Sequence, residues 1–345
     1  MSGLITVLQP GLGTTIQDAG RFGHRHEGIP QAGWLDAPLA EAANALVGNA
    51  GGEAVLELRG AGTELQVQTG PVRLVMAGNI SARLIRTDGT TLPLPAWQTA
   101  TLQPGDRLAL GMASSGCAYL AVAGGLSVAS VLGSRSSYGR AGLPGVLGRP
   151  LQPGDLLPCA SETAASAKEW CTRHALEWPQ GPVRVMLGPQ ADHFSREAIE
   201  RFLDSEWQAS AEQDRMGLRL QGPALQHANA ASADIVSDAV VPGTIQVPGN
   251  GLPIVLMADS QTVGGYPKIA TVIRADLPRL AHLRPGTAVR FQAVDARQAR
   301  EALLQQRSDW QAWLATREPF IPPGFVDEVA LYQNNLVSGM LRAEP

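Results

Sequence analysis

Leu102-Gln-Pro-Gly-Asp106 and Leu151-Gln-Pro-Gly-Asp155 repeat one short module, and a looser copy stands at Leu283-Arg-Pro-Gly-Thr287. Proline in the second place of a turn and glycine in the third fit a type II turn, because the ring presets φ and glycine accepts the positive φ of the bend. The first and third copies are each followed by a strand-like run. Two similar β units, rather than a solenoid, are the simplest arrangement that uses one turn in this way.

Around these turns the first 160 residues carry short apolar or alternating runs: Leu4 to Val7, Ala54 to Leu58, Leu65 to Thr69, Val72 to Met76, Arg83 to Ile85, Ala100 to Leu102, Leu108 to Leu110 and Ala118 to Val122. Turn signals separate them at close intervals, as in a closed barrel or sandwich. One helix interrupts the series, with Asp36 as its cap, Pro38 in its first turn and Gly48 just past its end. Leu39, Ala42, Ala43, Leu46 and Val47 share one helical face. Residues 160–182 have the polar, small-residue texture of a linker. A second unit begins with a strand from Val183 to Leu187 and a helix capped by Ser195, where Phe194 and Ile199 are spaced for a hydrophobic staple. Asp276, followed by Pro278, opens a short helix, Asp295 to about Arg317 reads as a longer one, and a last amphipathic piece runs from Val326 to Met340. The expected fold is therefore mainly β: two β-barrel lobes at residues 1–165 and 183–293 with short helices, then a C-terminal helical arm at 294–345.

Composition narrows the function classes. Charged residues make up only 17% of the chain while glycine numbers 38 and proline 25, which favours short strands and turns over long charged helices. A net charge of −4 gives no electrostatic footing for nucleic acid. The longest weakly polar run, Ala118 to Gly133, contains glycines and serines and falls short of a bilayer span, so no membrane role is expected. No signal peptide is visible, and Cys117, Cys159 and Cys171 lack metal-ligand spacing. They read as free thiols, and the location as cytoplasmic.

Four polar clusters carry the chemistry. Gln17, Asp18 and Arg21 sit in a glycine-rich first loop and suit a polar ligand, unless an internal Asp18–Arg21 pair merely holds the loop. Arg215 has the fork geometry to grip a carboxylate, with an Asp214–Arg215 bridge as the alternative. Gln246 offers donor and acceptor to a lactam or ureido group, or is a solvent-facing strand residue. The densest stretch is Met257-Ala-Asp-Ser-Gln-Thr-Val-Gly-Gly-Tyr-Pro-Lys268, and the sequence holds only two lysines, Lys168 and Lys268. Here Asp259 suits a general base and Lys268 suits an oxyanion or carboxylate, with Gln261, Thr262, Gly264, Gly265 and Tyr266 as substrate-binding candidates. The alternative is a hairpin loop whose lysine faces water. His24 and His26 could share a strand face but lack a third ligand, so no metal site is expected. There is no phosphate-binding G-x-x-x-x-G-K-[ST] loop and no G-x-S-x-G elbow. Cys117 reads as core, and Trp310 with Trp313 as packing.

Several blocks resemble one family in register. Thr15-Ile-Gln-Asp-Ala-Gly-Arg21, Gly28-Ile-Pro to Asp36, Ala43-Asn-Ala-Leu-Val-Gly-Asn49 and Leu56-Glu57 are similar to the opening of the biotin-dependent carboxyltransferase-like family. That family includes the PxpC (also KipA) subunit of 5-oxoprolinase and the allophanate hydrolase subunit 2 type. Gly188-Pro-Gln-Ala-Asp192, Gln213-Asp-Arg-Met-Gly217, Gly243-Thr-Ile-Gln-Val-Pro248 and Ala258 through Pro278 resemble its second half, so the likeness spans roughly residues 5–293. The resemblance implies cyclophilin-like lobes, a PxpB/KipI-like sister subunit, a PxpA-like third subunit, and ATP-dependent opening of 5-oxoproline to glutamate, the ATP held largely by the partners. Two alternatives remain: carboxyl transfer from carboxybiotin to urea or a similar amide, or a KipA-type regulatory binding role. The chain lacks the Met-Lys-Met acceptor, so no biotin is attached to it. It also departs from the family at Ala32-Gly-Trp-Leu-Asp36, where Ser-Gly-Ala-Met-Asp is more usual. The lost hydroxyl and added indole change a first-loop contact.

Overall fold

A computed structural model describes residues 3–140, 142–160 and 168–321. All three turn modules close alike. Gly105, Gly154 and Gly286 have φ of 91°, 86° and 82°. Asp106, Asp155 and Thr287 each donate a backbone N–H to the carbonyl three residues earlier. Their side chains accept the N–H of that earlier residue, Gln103, Gln152 or Arg284, at 2.8, 2.7 and 3.1 Å. Each turn glycine then donates to a strand residue whose own N–H returns to the residue after the glycine: Val67, Val7 and Ala209 respectively. The module is thus a clip that fixes a turn onto a neighbouring strand, used twice in the first lobe and once in the second.

The first lobe stacks two antiparallel sheets. One orders the strands Leu156–Cys159, Gly3–Pro10, Thr63–Thr69, Arg107–Leu110, Ser81–Ile85 and Thr91–Pro95. The other orders Thr15–Gln17, Val55–Leu58, Ala118–Val122, Val72–Ala77 and Ala100–Leu102. Successive side chains of a strand point to opposite faces, and the second sheet uses both. Leu56, Leu58, Leu74, Met76, Leu120 and Val122 fill the core between the sheets. Val55, Val75, Ala77, Tyr119 and Ala121 face the other way. They meet α1 (Ala37–Leu46), whose Asp36 cap accepts from Leu39 N–H at 2.9 Å. Glu57, flanked by Leu56 and Leu58, shares the α1 side and directly opposes Tyr119 across the strand pair.

In the second lobe one eight-stranded sheet runs Ala288–Val289, Trp207–Gln213, Gly217–Gln221, Ile254–Leu256, Thr244–Gln246, Lys268–Val272, Val183–Leu187 and Phe291–Ala293. Only the last pairing is parallel. Helix α2 (Arg196–Asp204), capped by Ser195, lays Phe202 on Phe291 with ring centroids 4.8 Å apart. The helix expected at Asp276 is the four-residue α3 (Leu277–Leu280). Asp276 does not cap it by side chain, because both carboxylate oxygens go to Arg184, at 2.7 and 3.0 Å.

Helix α4 (Ala296–Leu314) opens with a capping box between Asp295 and Gln298. It bridges the lobes rather than hanging from one. Trp310 donates its indole N–H to Pro38 at 3.0 Å, and Gln306 its amide to Ala275 at 2.7 Å. Trp313 meets Trp97 edge-on at 5.3 Å. The stretch expected as a linker docks instead, since Trp170 and Cys171 pair with Glu318 and Pro319. The amphipathic piece from Val326 to Met340 lies outside the described residues. No described helix is long and apolar enough to cross a membrane.

One apolar cluster continues from α1 and its sheet into the second lobe, joining Leu39 and Val75 to Phe202, Ile245 and Ile269. At its margin Gly116, with φ of 85°, leaves a would-be Cβ only 2.2 Å from the Ala281 carbonyl oxygen. Gly116→Ala is therefore expected to lower stability by about 2–4 kcal/mol in urea unfolding, combining backbone strain and a clash with rigid backbone. Gly133→Ala, equally left-handed but facing open space, isolates the strain at about 1–2 kcal/mol. Equal losses in the two variants would show that the lobes do not press together here.

Candidate functional site

Arg215 lies in the hairpin between Trp207–Gln213 and Gly217–Gln221. The expected alternative, a bridge to Asp214, is not what forms. Asp214 accepts the N–H groups of Met216 and Gly217 and shapes the turn, which frees Arg215 to cross between lobes. Its guanidinium forks onto Asp259 at 3.0 and 2.8 Å, reaches Glu57 at 2.5 Å and donates to the Gly33 carbonyl at 2.5 Å. Glu57 also accepts from Tyr119 at 2.8 Å and from Leu35 N–H at 3.0 Å. Burial alone would lower the Arg215 pKa, but Glu57 and Asp259 outweigh it and hold the guanidinium above its ordinary value, firmly charged. Burial pushes the Asp259 carboxyl up, with Arg215 opposing. One cation thus faces two carboxyl groups in a nearly dry interface.

A second inter-lobe contact adjoins it. His282 donates through Nε2 to Asp36 at 2.7 Å and through Nδ1 to the Ser115 carbonyl, while Trp178 stacks on its ring at 6.5 Å. Tyr119 links the two contacts, because its hydroxyl accepts from Asp36 N–H at 2.9 Å. With both ring nitrogens facing acceptors, the imidazolium is the form that fits. Burial would lower the His282 pKa, yet Asp36 and the Ser115 carbonyl carry it above the ordinary 6.5. Burial also pushes the Asp36 carboxyl up. The two donors aimed at it, from Leu39 and His282, nonetheless favour the carboxylate–imidazolium pair.

The first loop corrects another expectation. Asp18 does not pair with Arg21. It accepts from Ser134 at 2.6 Å, Ser136 at 2.5 Å, Arg135 N–H at 2.5 Å and Gly20 N–H at 2.9 Å. Arg21, 1% exposed, donates instead to the carbonyls of Val131 and Ser136. Burial lowers its pKa, with Asp18 and then Asp259 opposing. Four side-chain atoms of the first loop and the 257–268 loop are buried without a hydrogen-bond partner among the described residues: Gln17 Oε1, Arg21 Nη1, Arg25 Nη1 and Ser260 Oγ. Buried polar atoms almost always find partners; of these, Ser260 adjoins Asp259 in the chain and Arg21 lies within its electrostatic reach.

Lys268 and its neighbours form the adjoining cluster. Lys268 is 4% exposed and does not face water. Its ammonium donates to Asp238 and, at 2.9 Å, to the Ala239 carbonyl. Gln246, across the strand pair, is 2% exposed, against the solvent-facing alternative. It donates to the Tyr266 carbonyl at 3.2 Å and accepts from Gln261 at 3.4 Å. Gly264 lets the Gln246 amide approach closely, since a Cβ would lie 2.5 Å from its nitrogen and push that side chain aside. Thr262 and Gly265 contribute carbonyls that accept from Val240 and Ile235. Arg25, in the first lobe, reaches across to the Val240 carbonyl at 2.5 Å and the Gln261 carbonyl at 3.4 Å.

The structure therefore brings Arg215 onto Asp259, with Arg21 within electrostatic reach of both Asp259 and Asp18, whereas Gln17 bonds to Thr15 and Ser137 instead. Gln246, Gln261, Gly264, Tyr266 and Lys268 form a second group. Asp259-Ser-Gln261 joins the two groups. Sequence reasoning missed Glu57, Tyr119, Asp36, His282, Arg25 and Asp238. A charge in an otherwise apolar strand, Leu56-Glu57-Leu58, was the one available signal. His24 and His26 lie in a 3-10 turn, Arg25–Glu27 with His24 as its cap, rather than on a strand.

A family described as the carboxyltransferase domain, subdomain A and B, matches residues 27–293. The chain is 36% identical over 312 residues to a 5-oxoprolinase subunit of Escherichia coli, covering 88% of this chain and 97% of that one. It is 34% identical to the subunit of the same name from Haemophilus influenzae, covering 89% and 96%. A crystal structure of the K. lactis urea amidolyase superposes with a TM-score of 0.78 at 26% identity. That match covers 90% of this chain but spans only 20% of the amidolyase.

Two outcomes test the inter-lobe contacts. Arg215→Met strands Glu57 and Asp259, so urea unfolding is expected to show a loss of about 3–5 kcal/mol. Arg215→Lys should recover only part of it, lacking the fork. For His282 the folded pKa lies above the unfolded one, so its stabilisation is complete below about 6.5 and is lost as pH rises through the folded value. Wild-type stability should fall over that range, and His282→Gln should remove the fall. A pH-independent difference between the two proteins would rule out the imidazolium.

Proposed function

Because this chain belongs to the carboxyltransferase domain family, subdomains A and B, we propose that it is the PxpC/KipA-type component of a 5-oxoprolinase, a cyclic-amide hydrolase. The reaction adds water across the lactam C–N bond of 5-oxo-L-proline to give L-glutamate, with ATP hydrolysed to ADP and phosphate. Lactams are stabilised by amide resonance, and ATP supplies the activation, bound largely on PxpB/KipI-like and PxpA-like partner subunits. The cyclophilin-like character of the lobes and a cytoplasmic location belong to the same proposal.

The observation that carries this reading is a pair of buried, unpartnered atoms close to Asp259, Arg21 Nη1 and Ser260 Oγ, with Gln17 Oε1 likewise unpartnered in the first loop. A small ring with a carboxylate, an N–H and a carbonyl complements them. In this account Arg21 Nη1 receives the substrate carboxylate and Gln17 Oε1 the ring N–H, while Ser260 Oγ meets the carbonyl. Asp259 handles the proton, and Arg215, already occupied by Glu57, Asp259 and Gly33, positions Asp259 instead of touching substrate. Lys268 has used two of its three donors. The third stabilises the developing oxyanion, with Gln246 and Gln261 lining the lactam edge.

The likeness to urea amidolyase supports a second reading, carboxyl transfer to urea or a similar amide. Avidin sensitivity of the purified complex would favour that reading. Tight binding to the sister subunit without any turnover would favour the regulatory, KipA-type role. For the leading proposal, the chain co-expressed with candidate sister subunits should release glutamate from 5-oxoproline only with ATP. Lys268→Met should lower that rate by about 100-fold or more while leaving co-elution of the complex unchanged. Full activity in this variant removes Lys268 from the mechanism.

A further inference from the structure

None of the polar side chains of the Asp259 and Lys268 clusters lines the large cleft at the lobe boundary. That cleft, about 680 Å³, lies between the first loop, α1, α3 and α4, a size ordinary for small-molecule sites. Most of its lining residues are apolar, Trp34, Leu35, Met257 and Leu277 among them. The Trp34 indole N–H is tied to the Gln17 carbonyl at 2.9 Å, which leaves its ring to serve as wall. Trp310 and Gln306 also line the space. Their bonds to Pro38 and Ala275 pin α4 on both sides, so the cleft is preformed. Ala32, another lining residue, keeps φ at 53° although it is not glycine. Strain of this kind persists only where neighbours impose it and gathers at ligand sites.

The mouth carries an unbalanced charge. Arg274 and Arg307 both line it and are exposed, and neither forms an ion pair or hydrogen bond through its side chain among the described residues. Glu41 is the one lining carboxylate among the described residues, within electrostatic reach of both. Two guanidiniums against one carboxylate leave a net positive end on an apolar slot. A neutral ligand would leave that end unused, and a cation would be repelled.

We propose that this cleft binds an amphipathic monoanion, with its apolar body between Trp34 and Leu277 and its acid group between Arg274 and Arg307. The site is separate from the Asp259 and Lys268 clusters and does not depend on lactam turnover.

The test uses the full chain alone, so that failure of the catalytic proposal and failure of this one stay distinguishable. Titration with 8-anilinonaphthalene-1-sulfonate, an aromatic monoanion, should show one saturable site with blue-shifted fluorescence. Decanoate should displace the probe and decanol should not. Arg274→Gln/Arg307→Gln, both exposed positions, should weaken the probe at least tenfold. Leu303→Trp, which fills the cleft from the surface of α4, should block it. Equal affinity in the double arginine variant, or unchanged binding in Leu303→Trp, overturns the proposal, as does displacement by decanol as effective as by decanoate.

Discussion

A guanidinium that leaves water must recover its solvation from fixed acceptors, and Arg215 does so across the lobe boundary. Its bonds to Asp259, Glu57 and the Gly33 carbonyl place one residue of the second lobe between two elements of the first. Buried ion pairs gain little over apolar packing, but breaking one is costly. The contact therefore acts as a constraint more than a source of stability, because it permits one relative position of the lobes. Asp259 is oriented by it, and the strained Ala32-Gly33 turn is held by it. The loop carrying Ser260 and Gln261 follows directly.

The sheet that bears Glu57 explains how a carboxylate comes to stand there. Its strands are buried on both faces, one against the other sheet and one against α1 and the second lobe. Strand alternation alone then sends Glu57 and Tyr119 to the shared interface while Leu56 and Leu120 fill the lobe's own core. Tyr119 couples the Arg215 contact to the Asp36–His282 contact through a single hydroxyl. Neither contact is local in sequence: Arg215 and Glu57 are 158 residues apart, and His282 and Asp36 are 246.

This separation marks the limit of what residues disclose when read in order. The turn modules, the Asp36, Ser195 and Asp295 caps, most strands of the first lobe and the Val183–Leu187 strand of the second were legible, since each depends on neighbours a few positions away. The 257–268 loop was legible as unusual, but not the partner of Lys268, which is Asp238 on another strand. Asp18 and Arg21, close in sequence and opposite in charge, invite pairing. They do not pair because Ser134 and Ser136 occupy Asp18 from more than a hundred residues away.

The order of residues alone determined that this chain builds two β lobes with clipped turns and capped helices. Short-range geometry and hydrophobic alternation are written residue by residue. Only the assembled molecule decided which charges lose water together, which polar atoms are left without a partner among the described residues, and that α4 closes a cleft with two arginines at its mouth. Desolvation and shape belong to surfaces that exist only once distant segments are packed against each other.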